Sequence, residues 1–178
     1  MSNPKYIQSP LPFPEEVFEI PLTQGKVALV SAEDTDLMTF NWFAHYSKKA
    51  YYAYRMSTRK VGKRQIIKMH RIILERILGR TLEPNEYPDH KNGNGLDNQR
   101  SNLRLATAAQ NSQNMGKPIT NTSGYKGVCW SRRAGKWLVQ IRVNGKRLYL
   151  GYYHTPEEGY QVYCEAAEKY HGEFARLK

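Results

Sequence analysis

The sequence predicts an α+β chain, and three observations carry that prediction. Aromatic, strand-like runs crowd the segment before residue 69. Two helix starts are written as capping boxes, Thr107 with Gln110 and Thr155 with Glu158. Between two alternating runs near the C-terminus stands Asn144-Gly145, a strong two-residue hairpin signal. These divide the 178 residues into a β-rich N-terminal part, a polar centre flanked by helices, and a three-stranded antiparallel sheet packed on one helix.

Residues 1–18 hold Pro4, Pro10, Pro12 and Pro14 and read as an extended arm. The run Lys26–Val30 is the first strand. Ser31, with Asp34 three residues on, reads as a capping box opening a short helix to about Thr39. Asp34 and Asp36 are then acids at a helix N-terminus rather than a metal pair. Two aromatic strands follow near 41–47 and 50–56, then the basic loop Ser57–Arg64 and a strand over Gln65–Met69. The helix His70–Leu78 ends at Gly79. The stretch Asn85–Arg104, rich in Asn and Gly, has the polarity of a functional loop. The helix opening at Thr107 stops at Gly116-Lys117-Pro118. Strands are expected near 125–131, 136–143 and 146–151. Thr155-Pro156-Glu157-Glu158 combines a cap, a first-turn proline and a capping acid. On that helix Tyr163, Ala166, Ala167 and Tyr170 share one face, and Gly172 ends it. Trp130 and Trp137 are expected in the core. The organisation is therefore 1–68 as a β-rich subdomain with its arm, 69–115 as the centre, 116–122 as linker and 123–178 as the C-terminal domain.

Composition narrows the function. There are 27 Lys and Arg against 16 Asp and Glu, a net charge of +11. The excess is uneven: −4 over residues 1–45, +8 over 46–88, +2 over 89–118 and +5 over 119–178. Concentrated basic charge on an aromatic-rich chain favours a polyanion, most simply nucleic acid. No run approaches the roughly 20 apolar residues that span a bilayer. The first residues lack the basic-then-apolar pattern of a signal peptide. The expectation is a cytoplasmic, DNA-associated chain with no membrane partner, a monomer or weak dimer. Only two cysteines are present, Cys129 and Cys164, each beside aromatics, and they read as free thiols.

The centre carries the chemistry. Asp89-His90, Asn102 and Asn111 follow the spacing D-H-x11-N-x8-N. Asp89 and His90 end a strand or start a loop, and Asn111 falls early in the helix beginning at Thr107. A carboxylate on the loop and an amide oxygen on the helix can face one divalent cation, and such hard oxygen donors suit magnesium or manganese, not zinc. Adjacent residues on an extended segment point oppositely, so His90 can face substrate while Asp89 holds metal. A basic wall over 55–80 would hold phosphates. Taken singly, Asp89 is also a turn acid, His90 a surface histidine, and Asn102 and Asn111 turn and cap residues. Asn92, Asn94 and Asn98 read as loop-formers.

The runs Met69-His-Arg-Ile-Ile, Tyr87-Pro-Asp-His-Lys-Asn-Gly-Asn, Leu96–Arg104 and Ala106–Asn111 resemble an HNH endonuclease of the phage and homing type. The resemblance implies a ββα-metal motif that cleaves a DNA phosphodiester with one magnesium or manganese ion. It implies that Asp89 and Asn111 hold the ion, that His90 is the general base activating water, and that Asn102 braces the loop and helps orient His90. Asn111 stands where many members have the last histidine, a variant of the homing and phage branch. With no Cys-x-x-Cys pair, the zinc-stapled form of the fold is absent. His70, with Arg71 beside it, is either a packing residue or a phosphate contact.

Residues 123–178 resemble an Apetala-two/ethylene-response-factor DNA-binding domain. The carrying residues are Ser123–Val128, Gly135–Arg142, Leu150–Tyr153 and Ala166–Phe174. The resemblance implies that the sheet lies in the major groove of double-stranded DNA while the helix supports it. Strand alternation turns Trp137, Val139, Ile141 and Val143 toward the helix and Lys136, Gln140 and Arg142 away from it. On the third strand Leu148 and Leu150 face in, and Arg147 and Tyr149 face out. Arginine reads guanine and glutamine reads adenine, so this face has base-reading chemistry. Lys126, Arg132 and Arg133 are expected phosphate contacts. The plant-type domains carry arginines near positions 129 and 131, where this chain has Cys129 and Ser131, so the plant target sequence is not carried over to it. The rival function class is a non-catalytic DNA-binding regulator that keeps the HNH segment as a scaffold.

Overall fold

A computed structural model of the protein describes residues 16–47, 50–57 and 64–177. Nearly all of the proline-punctuated arm and most of the basic loop 57–64 lie outside them. Strands β1 (Val17–Pro21) and β2 (Val27–Ser31) pair antiparallel and bury Ile20, Ala28 and Val30. The residues after them form a 3-10 helix, Ala32–Thr39, and the capping box at Ser31 does not form. The Ser31 hydroxyl instead accepts the Arg100 amide at 2.9 Å. Asp34 is fully buried and bound by Arg76 at 2.8 Å and Arg100 at 2.7 Å. Asp36 also binds Arg76. Long-range pairing thus takes both acids away from the helix-end role that local sequence predicts.

Strands β3 (Phe43–Ser47), β4 (Ala50–Met56) and β5 (Ile66–Lys68) form one antiparallel sheet in chain order. Helix α1 (Met69–Leu78) packs Met69, Ile73 and Leu74 inward and ends at Gly79, whose φ of 65° is the left-handed stop. Strands β6 (Tyr87–His90) and β7 (Leu103–Ala106) pair antiparallel, and helix α2 (Ala108–Gln113) follows with the Thr107–Gln110 capping box formed. This is the ββα order. One core holds Ile20, Val30, Leu37, Trp42, Ala53, Met69, Ile73 and Leu103 together, so it runs continuously through position 68.

The long loop between β6 and β7 is stitched to the N-terminal sheet. Leu29 N donates to Leu96 O and Asn98 N donates to Leu29 O, both at 2.8 Å. A Cβ at Gly95 would sit 2.5 Å from Tyr51 O and 2.6 Å from the Tyr52 ring. Only glycine lets the loop lie that close to β4.

Strands β8 (Val128–Ser131), β9 (Lys136–Val143) and β10 (Lys146–Tyr153) form the C-terminal sheet in the order β10-β9-β8. Asn144 and Gly145 both have positive φ, 49° and 78°, the signature of the tight turn their sequence predicts. Helix α3 (Pro156–His171) opens with the expected capping box and first-turn proline. Val128, Val139, Ile141, Tyr163, Ala166 and Ala167 make a second core. Tyr170 stands outside it, exposed. His171 takes the next inward position, its Nε2–H donating to Arg142 O at 2.9 Å. Trp130 is 46% exposed, lying edge-on against Trp137 rather than within the core. Leu148 pairs with Ile141 on the inward side but is itself exposed. Cys129 and Cys164 are free thiols. Among the described residues no helix is long and apolar enough to cross a membrane.

Candidate functional site

A cleft of about 680 Å³ opens where β4, the start of α1, the end of β6 and α2 converge. Asp89, His90 and Asn111 line it together, with His70, Tyr52 and Tyr54 on the facing wall. The fold therefore brings three of the four spaced residues to one surface.

His90 is buried, and its Nε2 lies 3.2 Å from Asn98 Oδ1. Asn98 is itself fully buried, and its Nδ2 donates to Leu96 O at 3.2 Å. That contact fixes which end of the amide faces the ring. An amide oxygen only accepts, so His90 Nε2 carries the hydrogen and Nδ1 keeps the lone pair. Burial pushes the His90 pKa below the ordinary histidine value, against the opposing pull of the Asn98 hydrogen bond and the Asp89 charge. His70 packs edge-on against His90, ring centres 5.4 Å apart. Burial pushes the His70 pKa well below the ordinary value, with His90 and Lys68 adding to the effect. Its Nδ1 is buried with no hydrogen-bond partner. Burial thus favours the neutral form of both rings.

Asp89 is 4% exposed. Asn114 Nδ2 donates to both its oxygens, at 2.9 and 3.0 Å, and Arg104 Nε donates to Oδ2 at 2.8 Å. Asn111 uses its Nδ2 on Pro88 O at 3.4 Å, which leaves its amide oxygen for the cleft. Asn102 lies in the loop. Its Nδ2 donates to Asp97 O at 2.7 Å and Asn92 Oδ1 at 3.1 Å, and its Oδ1 accepts from Asn92 N. It braces the loop, while the direct contact to His90 belongs to Asn98.

The oxygen donors at the cleft are of the kind a hard divalent cation takes, although both Asp89 oxygens are already held by Arg104 and Asn114. Asp89 offers a carboxylate and Asn111 an amide oxygen at one cleft. Magnesium binds proteins through one or two carboxylates, keeping several waters and taking substrate phosphate oxygens besides.

Among the described residues of the basic wall expected over 55–80, four arginines are engaged internally. Arg55 lies over the Phe40 and Trp42 rings. Arg71 Nε binds Glu75 at 3.0 Å and its Nη2 donates to Leu82 O. Arg76 binds Asp34 and Asp36, and Arg80 binds Glu86. The cations that reach the cleft are Lys68, Arg71, Lys117 and Arg176, against Asp89 as its one carboxylate among the described residues.

On the C-terminal sheet, Arg142 stands directly opposite Arg147, and Gln140 opposite Tyr149. Arg132, Arg133, Arg142, Arg147 and Tyr149 are exposed, and Lys136 is half-buried. Among the described residues none of these cations has a carboxylate within ion-pair distance. Like charges directly opposite destabilise a sheet, and an anion laid across them removes that cost. Lys126 stands apart from this face. Its Nζ donates to Gln113 O at 2.6 Å, and burial, with Arg176 as a second cause, pushes it down to about 8. It joins the two cores instead. Arg104 does so as well, its Nη1 donating to Glu173 O at 2.6 Å and its guanidinium lying 3.8 Å from the centre of the Phe174 ring.

Sequence reasoning missed Asn98, Asn114, Arg104 and Arg176. Asn98 sits among several similar loop asparagines, and the other three meet the site only through tertiary contacts.

Comparison with known proteins gives two family matches, an HNH endonuclease over residues 68–113 and an AP2 domain over residues 123–173. The chain is 32% identical over 155 residues to an uncharacterized HNH endonuclease of Acanthamoeba polyphaga mimivirus, covering 85% of this chain and 74% of that protein. It is 38% identical over 92 residues to Protein 3.8 of Escherichia phage T7, covering 52% of this chain and 75% of that protein. Over 55 residues it is 38% identical to an AP2-like ethylene-responsive transcription factor of Arabidopsis thaliana, covering 31% of this chain and 11% of that protein. No solved structure matches the chain.

Proposed function

The chain belongs to the HNH endonuclease family and carries an AP2 domain, and on that premise we propose that it is a metal-dependent DNA endonuclease whose site choice is made by the tethered AP2 module. One observation carries the reading. A single cleft with a basic rim gathers His90, with its Nδ1 lone pair free, and the oxygen donors Asp89 and Asn111.

In this mechanism His90 accepts the proton of the attacking water on Nδ1 while Asn98 holds the ring through Nε2. A general base of this kind contributes about 10²- to 10⁴-fold. Asn102 keeps the loop folded so that Asn98 stays in place. Asp89 and Asn111 hold one magnesium or manganese ion. When bound, that ion stabilises the charge that develops on the leaving oxygen, an effect of several kcal/mol. Lys68 and Arg71 border the path of the backbone phosphates. The AP2 module supplies Lys136, Gln140, Arg142, Arg147 and Tyr149 to the major groove and raises the effective concentration of the cleft at its site. Arg132 and Arg133 contact phosphate.

A second reading has its own observation: both oxygens of Asp89 already carry hydrogen bonds from Arg104 and Asn114. A chain that keeps that arrangement on DNA is a binding regulator on an inactive HNH scaffold. Relaxation of supercoiled plasmid separates the two. The endonuclease reading expects nicking with magnesium or manganese, lost on chelation. Tight, salt-sensitive DNA binding with no cleavage under any divalent ion would sink it in favour of the regulator.

A further inference from the structure

The C-terminal segment after α3 does more than finish the AP2 module. Ala175 and Leu177 pack against its core, and Leu177 O accepts the Tyr160 hydroxyl. Phe174 is buried, with the Arg104 guanidinium over its ring. Between these anchored neighbours, Arg176 leaves on the other side and enters the cleft that holds Asp89, His90 and Asn111.

Its guanidinium rests on the loop at Gly93, where a Cβ would lie 1.7 Å from Nη1. Among the described residues its one hydrogen bond is a long 3.5 Å contact from Nη1 to Asn114 O. Among the described residues no carboxylate lies within ion-pair distance of it. A guanidinium has five N–H donors, so among the described residues nearly all of its hydrogen-bonding capacity is unused. Arg55, Arg71, Arg76, Arg80, Arg100 and Arg104, by contrast, each meet a carboxylate or an aromatic ring. Lys117 borders the same cleft, and Lys126 lies close enough for Arg176 to depress its pKa. Arg176 and Lys117 thus share a cleft with Lys68 and Arg71 against one carboxylate among the described residues, a setting that favours an anion with several oxygens.

We propose that Arg176 is a phosphate-binding residue that the AP2 module supplies to the nuclease cleft, gripping the DNA backbone beside the bond to be cut. Docking of the reader then completes the substrate site of the nuclease instead of only holding it nearby. This inference rests on the endonuclease reading for its meaning, and its test is arranged to stand without it.

The experiment compares full-length protein with its Arg176→Ala and Arg176→Lys variants, each checked for an unchanged melting transition. DNA binding is measured first, in chelator, across a salt series. Loss of one phosphate contact lowers the slope of log K against log salt by about 0.9. The expected result is that drop for Arg176→Ala and a retained slope for Arg176→Lys. Single-turnover cleavage at saturating DNA is measured second, and there Arg176→Ala is expected to fall about 100-fold, as for a misplaced substrate. An unchanged slope overturns the proposal. Faster cleavage by Arg176→Ala also overturns it and makes the arginine a plug. If the parent protein cleaves no DNA at all, the endonuclease reading fails while the salt slope still decides the contact.

Discussion

In the nuclease half, Arg76 and Arg100 converge on a fully buried Asp34, and Arg104 holds a nearly buried Asp89. In the reader half, Arg142 and Arg147 face each other across β9 and β10 with no carboxylate beside them. The same residue type thus has opposite duties in the two halves. Buried guanidinium–carboxylate pairs cost much to break and fix the geometry of loops. Unpaired surface cations facing each other across a sheet cost stability and are free for a polyanion. Segment charge alone does not separate these duties, because the largest excess, over residues 46–88, includes arginines that pair internally.

Four measurements would break or sharpen this contrast. The largest effect is expected from His90→Ala, which should lower plasmid cleavage about 10²- to 10⁴-fold while gel-shift affinity holds. Equal loss of cleavage and affinity would dissolve the division between cutter and reader. Next, Asp34→Ala should destabilise the protein by about 3 kcal/mol in a denaturant titration, through loss of a buried ionic partner. Its DNA affinity, measured well below the melting point, should stay as it is. Arg142→Ala should do the reverse: specific affinity weakened by about 1–3 kcal/mol with stability held, or raised by about 0.2–1 kcal/mol as the Arg147 repulsion goes. If both variants lost stability alone, Arg142 would leave the reader face.

The last measurement concerns Lys126 and pH. Its pKa is depressed to about 8 in the folded protein, against about 10.4 in an unfolded chain. Between those values the unfolded chain binds more protons, so this residue's contribution to stability rises with pH across that window and is flat below it. Lys126→Met should remove that rise, read as the difference between the two proteins' melting curves. Identical pH profiles would mean that the amine is not buried at the junction.

The sequence made the regular elements legible wherever the deciding contacts were local. The capping boxes Thr107–Gln110 and Thr155–Glu158 formed, and the Asn144-Gly145 turn fell where expected. The Ser31–Asp34 signal failed because two arginines, 42 and 66 residues away from Asp34, compete for the acid. Tyr170 failed because helical spacing names a face but not how far the opposing sheet covers it. At the site, the D-H-x11-N-x8-N spacing led to one cleft for three of its residues. The loop partner of His90 could not be singled out, since Asn92, Asn94, Asn98 and Asn102 look alike until the backbone of β2 seats one of them. Arg104 and Arg176 carry no local pattern at all.

Arg104 touches Asp89 with one nitrogen and the carbonyl of Glu173 with another. A reader domain is the part of such a protein that recombination can most readily exchange, since a linker precedes it. Here the graft junction is not the linker alone. A replacement domain without an equivalent of Glu173–Phe174 would leave one end of Arg104 unheld, and with it the carboxylate at the centre of the cleft. Inheritance of new targets would therefore come more easily through changes on the exposed strands than by wholesale domain replacement.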